Sequence, residues 1–319
     1  MDDLIRFSNP FGRPLHFLLL ELLVLTSTVV VFTHAALRYR AGDKRHLFQW
    51  IAITSYGLQM ELLAFNFLEN YEHSQFTVQL YGGQLPLYVT GLYGNFLYAG
   101  IKLVERLRLH PVAEALLAGF AICLIDVPFD LAGMAVRWWT WLDVDPNLAF
   151  RWLGVPVTSY YWYLIFGAVA CGLCRLLWRF LEKRPFWMAV PVALLAGTLV
   201  IFFGVLGFLP FHLMASLGLT HGNIVALHLV GCVVLAAWVR SPAPEPRHPL
   251  VLTAALLLPG ALTLLLLVTG LEGSIEEGFE RVAYSALSLL GLVAIAFALP
   301  LRRGATVALA SGDAAPLAR

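Results

Sequence analysis

The segment DVPFDLAGMAVRWWTWLDVDPNLAFRWLGVPVTSYYW, residues 126–162, joins two long apolar runs and is the most informative part of the sequence for the fold. It contains four aspartates, two arginines, five tryptophans and three prolines, and a Ser-Tyr-Tyr run near its C-terminal end. Ionisable and hydrogen-bonding side chains beside apolar helices mark functional sites by default in membrane proteins. The segment therefore predicts a specialised connection between two membrane helices.

The composition of the 319-residue chain is that of a membrane protein. Hydrophobic residues make up 60% of it, charged residues only 13%, and the mean hydropathy is +0.77. A soluble domain carries about 25% charged residues. Because the polar side chains are too few to cover a folded surface, most of that surface must face lipid. The net charge of +1 argues against nucleic acid as a partner.

Nine apolar runs are long enough to cross a bilayer, since a spanning helix needs about 20 residues. We predict membrane helices at 15–37, 47–68, 83–101, 112–134, 156–178, 187–209, 221–239, 250–270 and 282–300. The connections are short, so the predicted fold class is all-α, a polytopic transmembrane helical bundle. It forms one domain over residues 1–303, with a linker at 241–249 and a flexible cytoplasmic tail over 304–319.

The distribution of basic residues predicts the orientation of the bundle. Sixteen of the 21 Lys and Arg residues follow the odd-numbered predicted helices, and the other five lie on the opposite side. Cytoplasmic loops are enriched in Lys and Arg. We therefore expect the N-terminus outside, the C-terminus in the cytoplasm, and a multi-pass location in the inner (plasma) membrane of the cell.

Carboxyl groups inside the predicted helices fall at a similar depth. At about 1.5 Å per residue, Glu21, Glu61, Asp126 and Asp130 all lie in the outer half, whereas the cytoplasmic halves contain mainly Leu, Val, Ala and Phe. A charge at the centre of a membrane helix costs about 2.5–3.5 kcal/mol on insertion scales, so such a residue faces a partner or a cavity. We expect one polar cavity in the outer half of the bundle.

The candidate site follows from this depth argument. The candidate catalytic residues are Glu61, Asp126 and Asp130, because a desolvated carboxyl retains its proton and can act as an acid. Asp126 and Asp130 share one helix face, and Arg137 returns to that face as a candidate partner of Asp130. The candidate substrate-binding residues are Asn66, Tyr88, Trp139, Trp141, Ser159, Tyr160 and Tyr161. Further candidate polar partners are Glu21, Glu69, His73, Arg137, His212 and His221.

Plainer interpretations of the same residues remain open. The carboxyls could be neutral and simply hydrogen-bond one helix to another, and the aromatic residues could form an interfacial belt. A metal cluster of Glu69, His73, His212 and His221 lacks a compact ligand motif, so neither a metal nor another cofactor is expected. Cys171 and Cys174 lie in an apolar run and are interpreted as packing residues.

Two segments resemble a known family. The first spans 61–99 and ends in LPLYVTGLYGNFLYA; the second spans 126–162 and contains DVPFDLAGM, WTW and GVPVTSYYW. Together they resemble the carotenoid biosynthesis membrane proteins of the carotenoid 1,2-hydratase (bisanhydrobacterioruberin hydratase) type. The runs RWWTWLDVDPN and VPVTSYY are also similar to an uncharacterised family of eukaryotic polytopic proteins with a WWTWHDTDPN-like motif.

The resemblance implies an intramembrane enzyme that acts on a carotenoid-like or other isoprenoid lipid. The residues at the motif positions are Glu61, Asp126, Trp139, Trp141, Gly154, Pro156 and Ser159, the last where the hydratases have Asn. Our hypothesis is that Glu61 or Asp126 protonates a C=C bond and that aromatic faces stabilise the cation, giving hydration (a lyase reaction) or isomerisation. The alternatives are a lipid or small-molecule transporter or binding protein, and a non-catalytic scaffold.

Overall fold

A computed structural model describes residues 4–239, 244–269 and 275–298. Its α-helices are α1 (Leu15–Arg40), α2 (Arg45–Leu63), α3 (Leu87–Glu105), α4 (Pro111–Val136), α5 (Val157–Leu181), α6 (Phe186–Leu206), α7 (Leu209–Ser216), α8 (His221–Trp238), α9 (Pro249–Thr269) and α10 (Ile275–Val293). Helices α2 and α10 continue into π-helical turns, Ala64–Leu68 and Ala294–Ala298. The predicted tail lies outside the described residues, as does part of the predicted linker.

Eight helical segments in the described ranges are long and apolar enough to cross a membrane. In that coarse form the predicted helical, multi-pass membrane fold is confirmed. The third predicted helix is displaced by four residues, from 83–101 to Leu87–Glu105, because Pro86 provides the extended N-cap that precedes α3. The last predicted helix begins earlier, at Ile275 instead of 282.

Among the described residues, α3 is the long helix that is less apolar than these eight segments, although its contacts extend from one end of α2 to the other. Near its start Tyr93 bonds to Glu61 at the end of α2, and at its end Glu105 pairs with Arg45 at the start of α2. It packs against α1, α2, α4 and α9, and most of its residues are buried. Other helices shield it from lipid, so it tolerates Tyr, Asn and Lys side chains that an exposed helix would not.

Helices α4 and α5 form the most extensive contact in the bundle. They cross where Gly119 of α4 faces Gly167 of α5, and a Cβ on Gly167 would lie 3.0 Å from the Cα of Gly119. Small residues allow two helix backbones to approach closely in membranes. This crossing fixes the relative positions of Asp126 and Asp130 on α4 and Ser159 on α5.

In the described residues, seven short β-strands that no sequence pattern predicts cover one end of the bundle, called here the strand end. They are β1 (Ile5–Phe7), β2 (Tyr71–His73), β3 (Val78–Leu80), β4 (Leu85–Pro86), β5 (Trp139–Trp141), β6 (Arg151–Trp152) and β7 (Val155–Pro156). All pairings are antiparallel: β1 and β4 flank β3, β2 pairs with β5, and β6 pairs with β7. The β2–β5 ladder sets His73 opposite Trp139 and Tyr71 opposite Trp141.

The opposite end, called here the basic end, includes the turn between α1 and α2. There Asp43 lies 3.0 Å from Arg38 Nη2 and 3.1 Å from His46 Nε2, with Arg45 at 4.0 Å. The close contact with the His46 ring, together with the neighbouring arginine charges, holds the pKa of Asp43 well below its usual value. A carboxyl of this kind stabilises the fold above its unfolded-state pKa of about 4, and that contribution is lost as the pH falls toward the folded-state pKa.

We therefore expect Asp43→Asn to destabilise the protein at pH 7 by up to about 1 kcal/mol, a modest amount because the pair is partly exposed. The difference from the native chain should shrink as the pH falls below about 4. Thermal unfolding of both proteins in detergent at pH 7 and pH 3 measures this. An equal difference in unfolding temperature between the two proteins at both pH values would contradict the role of the ionised Asp43 carboxylate.

Candidate functional site

Glu61 lies at the strand end, almost fully buried. Its Oε1 accepts a hydrogen bond from Tyr93 at 2.7 Å, and its Oε2 accepts one from Tyr71 at 2.9 Å. His73 Nε2 lies 3.6 Å from Oε2. Both carboxyl oxygens are thus engaged by phenol groups from α3 and β2. Glu61 is held in place, and it holds the β2 segment onto the bundle.

Asp126 and Asp130 lie one turn apart on α4, and both are buried. Asp130 Oδ2 accepts a hydrogen bond of 2.8 Å from the Ser159 hydroxyl on α5. Asp126 is 0% exposed, and within the described structure neither of its carboxyl oxygens has a hydrogen-bond partner. The Asp130 and Tyr163 side chains approach it closely enough to affect its ionisation, but neither makes a well-formed hydrogen bond with it. A buried polar group without a partner costs free energy, so such groups mark sites for a ligand, a proton or water.

Several other buried polar atoms at the strand end also lack hydrogen-bond partners among the described residues. They are Tyr160 Oη, Tyr88 Oη, Trp141 Nε1 and both ring nitrogens of His73. Tyr160 interacts electrostatically with both aspartates of α4, and Tyr88 interacts with Glu61 and Glu21. A scaffold whose polar groups only join helices would have them paired with one another. The strand end instead contains an unsatisfied polar cluster beside its aromatic residues.

The aromatic candidates divide into two groups. Trp139 packs on the Asp130 turn of α4: its ring stacks on Phe129 with centroids 4.9 Å apart, and it covers Gly133. Trp141 contacts Tyr71 edge-on at 5.4 Å, next to Glu61. Tyr161 faces away from the carboxyls, because its hydroxyl donates to the Gly207 carbonyl and its ring contacts α7 and α8. Tyr161 is therefore part of the packing between α5 and its outer neighbours.

Arg137 does not pair with Asp130, contrary to the expectation from helical periodicity. It is exposed and takes a left-handed conformation that ends α4, with φ 58°. The helix therefore stops before the side chain could return to the Asp130 face. Its carbonyl instead accepts a hydrogen bond from Ser74.

The remaining predicted polar partners are dispersed. Glu69 is exposed and also left-handed, so it does not share a helix face with His73, which lies in β2. Glu21 is buried but is fully used by Thr77, at 2.9 Å from its backbone nitrogen and 2.5 Å from its hydroxyl. Asn66, a candidate substrate-binding residue, is also exposed; it donates to the Leu62 carbonyl and accepts from the Tyr81 hydroxyl. His212 is exposed, and His221 contacts Phe211 at the α7–α8 turn.

The acids of the α4–α5 connection are structural. Asp143 pairs with Arg151 at 2.5 Å, and that arginine also donates to the Trp141 carbonyl. Asp145 caps its own turn by accepting from Asn147. Among the described residues no group of three or more His, Cys, Asp or Glu could hold a metal ion. Cys171 and Cys174 are buried and not in a disulfide.

A comparison with known protein families identifies the family of this chain. A family model described as Domain of unknown function (DUF7802) matches residues 11–249, most of the chain. The chain belongs to the DUF7802 family. No curated protein and no solved structure matches it. The DUF7802 region contains α1 to α8, and hence every candidate residue of the strand end.

The basic end holds a second polar region, which the sequence pattern does not reveal. The helix halves that the sequence predicts to contain mainly Leu, Val, Ala and Phe have buried polar side chains at this end. His34, Gln49, Lys102 and Glu114 are buried within four different helices of the bundle. Lys102 donates to Gln49 and, at 2.5 Å, to Glu105. Within the DUF7802 region, polar side chains therefore lie at both ends of the bundle.

Proposed function

We propose that this DUF7802 protein is an intramembrane enzyme that protonates a C=C bond of an unsaturated isoprenoid lipid at the strand end. The supporting observation is Asp126, a fully buried carboxyl without a hydrogen-bond partner in the described structure. Its neighbour Asp130 is anchored by Ser159. Two buried carboxyls this close cannot both be ionised, so the pair retains a proton that Asp126 can donate.

In the proposed reaction, the proton leaves Asp126 and later returns to it. The Asp126 proton forms a new C–H bond, and the alkene electrons leave a tertiary cation on the adjacent carbon. Tyr160, which interacts electrostatically with both aspartates, would stabilise that cation through the π-face of its ring. Trp139 packs on Phe129 and Gly133 of the same helix. Addition of water with proton return to the Asp126 carboxylate gives hydration, and loss of a neighbouring C–H proton to it gives isomerisation.

We assign Glu61 a positioning role. Its two oxygens already accept hydrogen bonds from Tyr71 and Tyr93, so it has less capacity to donate a proton than Asp126. The β2 strand that it holds pairs with the strand containing Trp139 and Trp141. Glu61 would therefore act by keeping this aromatic ladder over the carboxyl pair.

The proposed orientation has nine membrane spans, with the strand end outside and the basic end in the cytoplasm. Positive residues concentrate in the α1–α2, α3–α4 and α5–α6 connections and on the helix ends beside them, as the positive-inside rule requires of the cytoplasmic side. The ninth span is α3, whose ends reach both ends of α2. In this orientation Lys102, Arg106 and Arg108, at the C-terminal end of α3, lie on the cytoplasmic side with the other basic helix ends.

Asp126→Asn tests the proposed function. In the source organism, a deletion strain complemented with the native chain should regain lipid species that differ by the mass of water or by isomerisation. The Asn variant should produce at least about 100-fold less of them, the usual contribution of a general acid. Asp145→Asn is the matched control, because it makes the same chemical change at an exposed turn. Identical extracts from the native and Asp126→Asn strains, at equal protein levels, would refute the proposal.

A transport function is the second candidate, and one observation favours it. Between the two polar ends, the buried polar atoms Ser27 Oγ, Thr54 Oγ1 and both side-chain amide atoms of Asn95 have no hydrogen-bond partner in the described ranges. They lie near the middle of α1, α2 and α3. Polar groups at this depth are typical of substrate or proton pathways. A labelled lipid that crosses vesicle membranes in the presence of the Asp126→Asn protein would favour transport over catalysis.

A further inference from the structure

We propose that a cavity at the basic end binds a phosphate group. The cavity has a volume of about 530 Å³ and lies among α1, α2, α3 and the segment that leads into α9. Seven of its lining side chains are Arg or Lys, three are Glu and three are His. The site is distinct from the strand-end carboxyls, and the inference does not depend on the proposed enzymatic activity.

The acidic residues of the cavity are each used by a basic residue. Glu105 pairs with Lys102 at 2.5 Å and with Arg45 at 2.7 Å. Glu114 pairs with Arg175 at 2.5 Å, and Glu245 accepts two hydrogen bonds from Arg108. These pairings leave Arg106 and Arg247 without a carboxylate partner in the part of the chain that the structure describes.

Arg106 and Arg247 converge on the same backbone group. Arg106 is buried and donates to the Ala296 carbonyl at 2.5 Å, and Arg247 Nε donates to that carbonyl at 3.0 Å from a more exposed position. Burial, and then the charge of Arg247, lower the pKa of Arg106 to about 10. Two like charges held together in a partly buried cavity are costly unless an anion compensates them.

Three histidines also line this cavity. The ring of His34 lies 5.1 Å from that of His46 and 4.3 Å from that of His248. The Tyr98 hydroxyl lies 2.9 Å from His34 Nδ1 and 3.1 Å from His46 Nδ1, which fixes two of the rings. Nδ1 of His248 is buried and has no partner among the described residues. It is a hydrogen-bonding group still available to a ligand.

This chemistry favours phosphate over other small anions. Guanidinium groups match the geometry of phosphate oxygens and bind them with charge-assisted bonds, and the second negative charge of phosphate offsets both uncompensated arginines. The phosphate can belong to a lipid headgroup or to a soluble compound, since both present the same phosphate group to the cavity.

Thermal unfolding of the purified full chain in detergent tests the soluble source, with inorganic diphosphate as the probe and NaCl to hold ionic strength constant. We expect a saturable rise in the unfolding temperature. Arg247→Gln should weaken the apparent affinity about 10-fold, the effect of losing one charge-assisted contact. Arg106→Lys keeps the charge but loses the planar pair of guanidinium donors, so it should also weaken the apparent affinity. Arg40→Gln is the matched control, because it removes an exposed charge at the same end outside the cavity.

Nanodiscs of phosphatidylcholine, with and without phosphatidic acid, test the lipid source. Retention of phosphatidic acid by the native chain in native mass spectrometry, reduced by Arg247→Gln but not by Arg40→Gln, supports the site with a lipid ligand. Stabilisation by diphosphate alone supports it with a soluble ligand. The proposal is overturned if neither probe binds, or if Arg40→Gln weakens binding as much as Arg247→Gln does. Lipid chemistry at Asp126 has a separate readout, so the two proposals can fail independently.

Discussion

Gly119→Ala should lower the free energy of unfolding by about 3 kcal/mol or more, the upper range for overpacked cores. A Cβ at this position would lie 2.0 Å from the Leu164 carbonyl oxygen and 3.0 Å from the Ala168 nitrogen. Both atoms belong to the backbone of α5, so no side-chain rotation can relieve the clash. Helices α4 and α5 would have to separate along their main contact, which would also break the Asp130–Ser159 hydrogen bond.

Gly172→Ala provides the matched control on α5. A Cβ there would meet no atom within 4 Å, so the substitution should be neutral or should stabilise the helix by up to about 1 kcal/mol through helix propensity. Thermal unfolding and gel filtration of fluorescently tagged protein in detergent measure both variants. Equal behaviour of the two alanine variants would show that α4 and α5 do not cross as closely as described.

Glu105→Gln is expected to cost about 3–5 kcal/mol, because it removes the carboxylate of a buried ion pair and leaves its partners uncompensated. The Glu105 carboxylate compensates Lys102, whose side chain is 4% exposed, and Arg45, which is 31% exposed. Gln keeps the shape and one acceptor, so the loss is mainly electrostatic. Reduced yield of folded protein and a lower unfolding temperature in detergent are the measured results.

A double variant separates electrostatics from packing. Lys102→Met combined with Glu105→Gln removes the buried cation along with its partner, so it should recover part of the stability lost in the single variant. Glu182→Gln, at the exposed end of α5, controls for the loss of a carboxylate at the same end of the bundle. Additive losses from the two cavity substitutions would mean that Lys102 and Glu105 are not coupled.

The sequence predicted the helices well because lipid imposes a simple rule on them: long apolar runs, separated by short polar connections. It also located the strand-end carboxyls, since Glu61, Asp126 and Asp130 are conspicuous within such runs. The pairing of Arg137 with Asp130 was wrong because periodicity cannot show where a helix ends. The strands were missed because each has only two or three residues, too few for an alternating pattern.

The basic-end cavity was missed for a different reason. Lys102, Arg106 and Arg175 lie near helix ends, where basic residues ordinarily mark a cytoplasmic loop. Only the packing of α1, α2, α3 and α9 shows that several of these side chains turn inward toward the histidines. A signal was present in His34, His46 and His248, which fall at corresponding helix ends, but nothing in the one-dimensional pattern joins them.

The composition of α3 has a consequence for biogenesis. A helix with three tyrosines, an asparagine and a lysine gains little by partitioning alone from the translocon into lipid. Its burial depends on α4 and α9, which are synthesised later. We expect α3 to remain beside the translocon until α4 emerges, so insertion and tertiary packing are one process for this segment. Truncation after residue 110 should therefore leave α3 uninserted in a glycosylation-mapping assay, whereas truncation after residue 140 should restore its span.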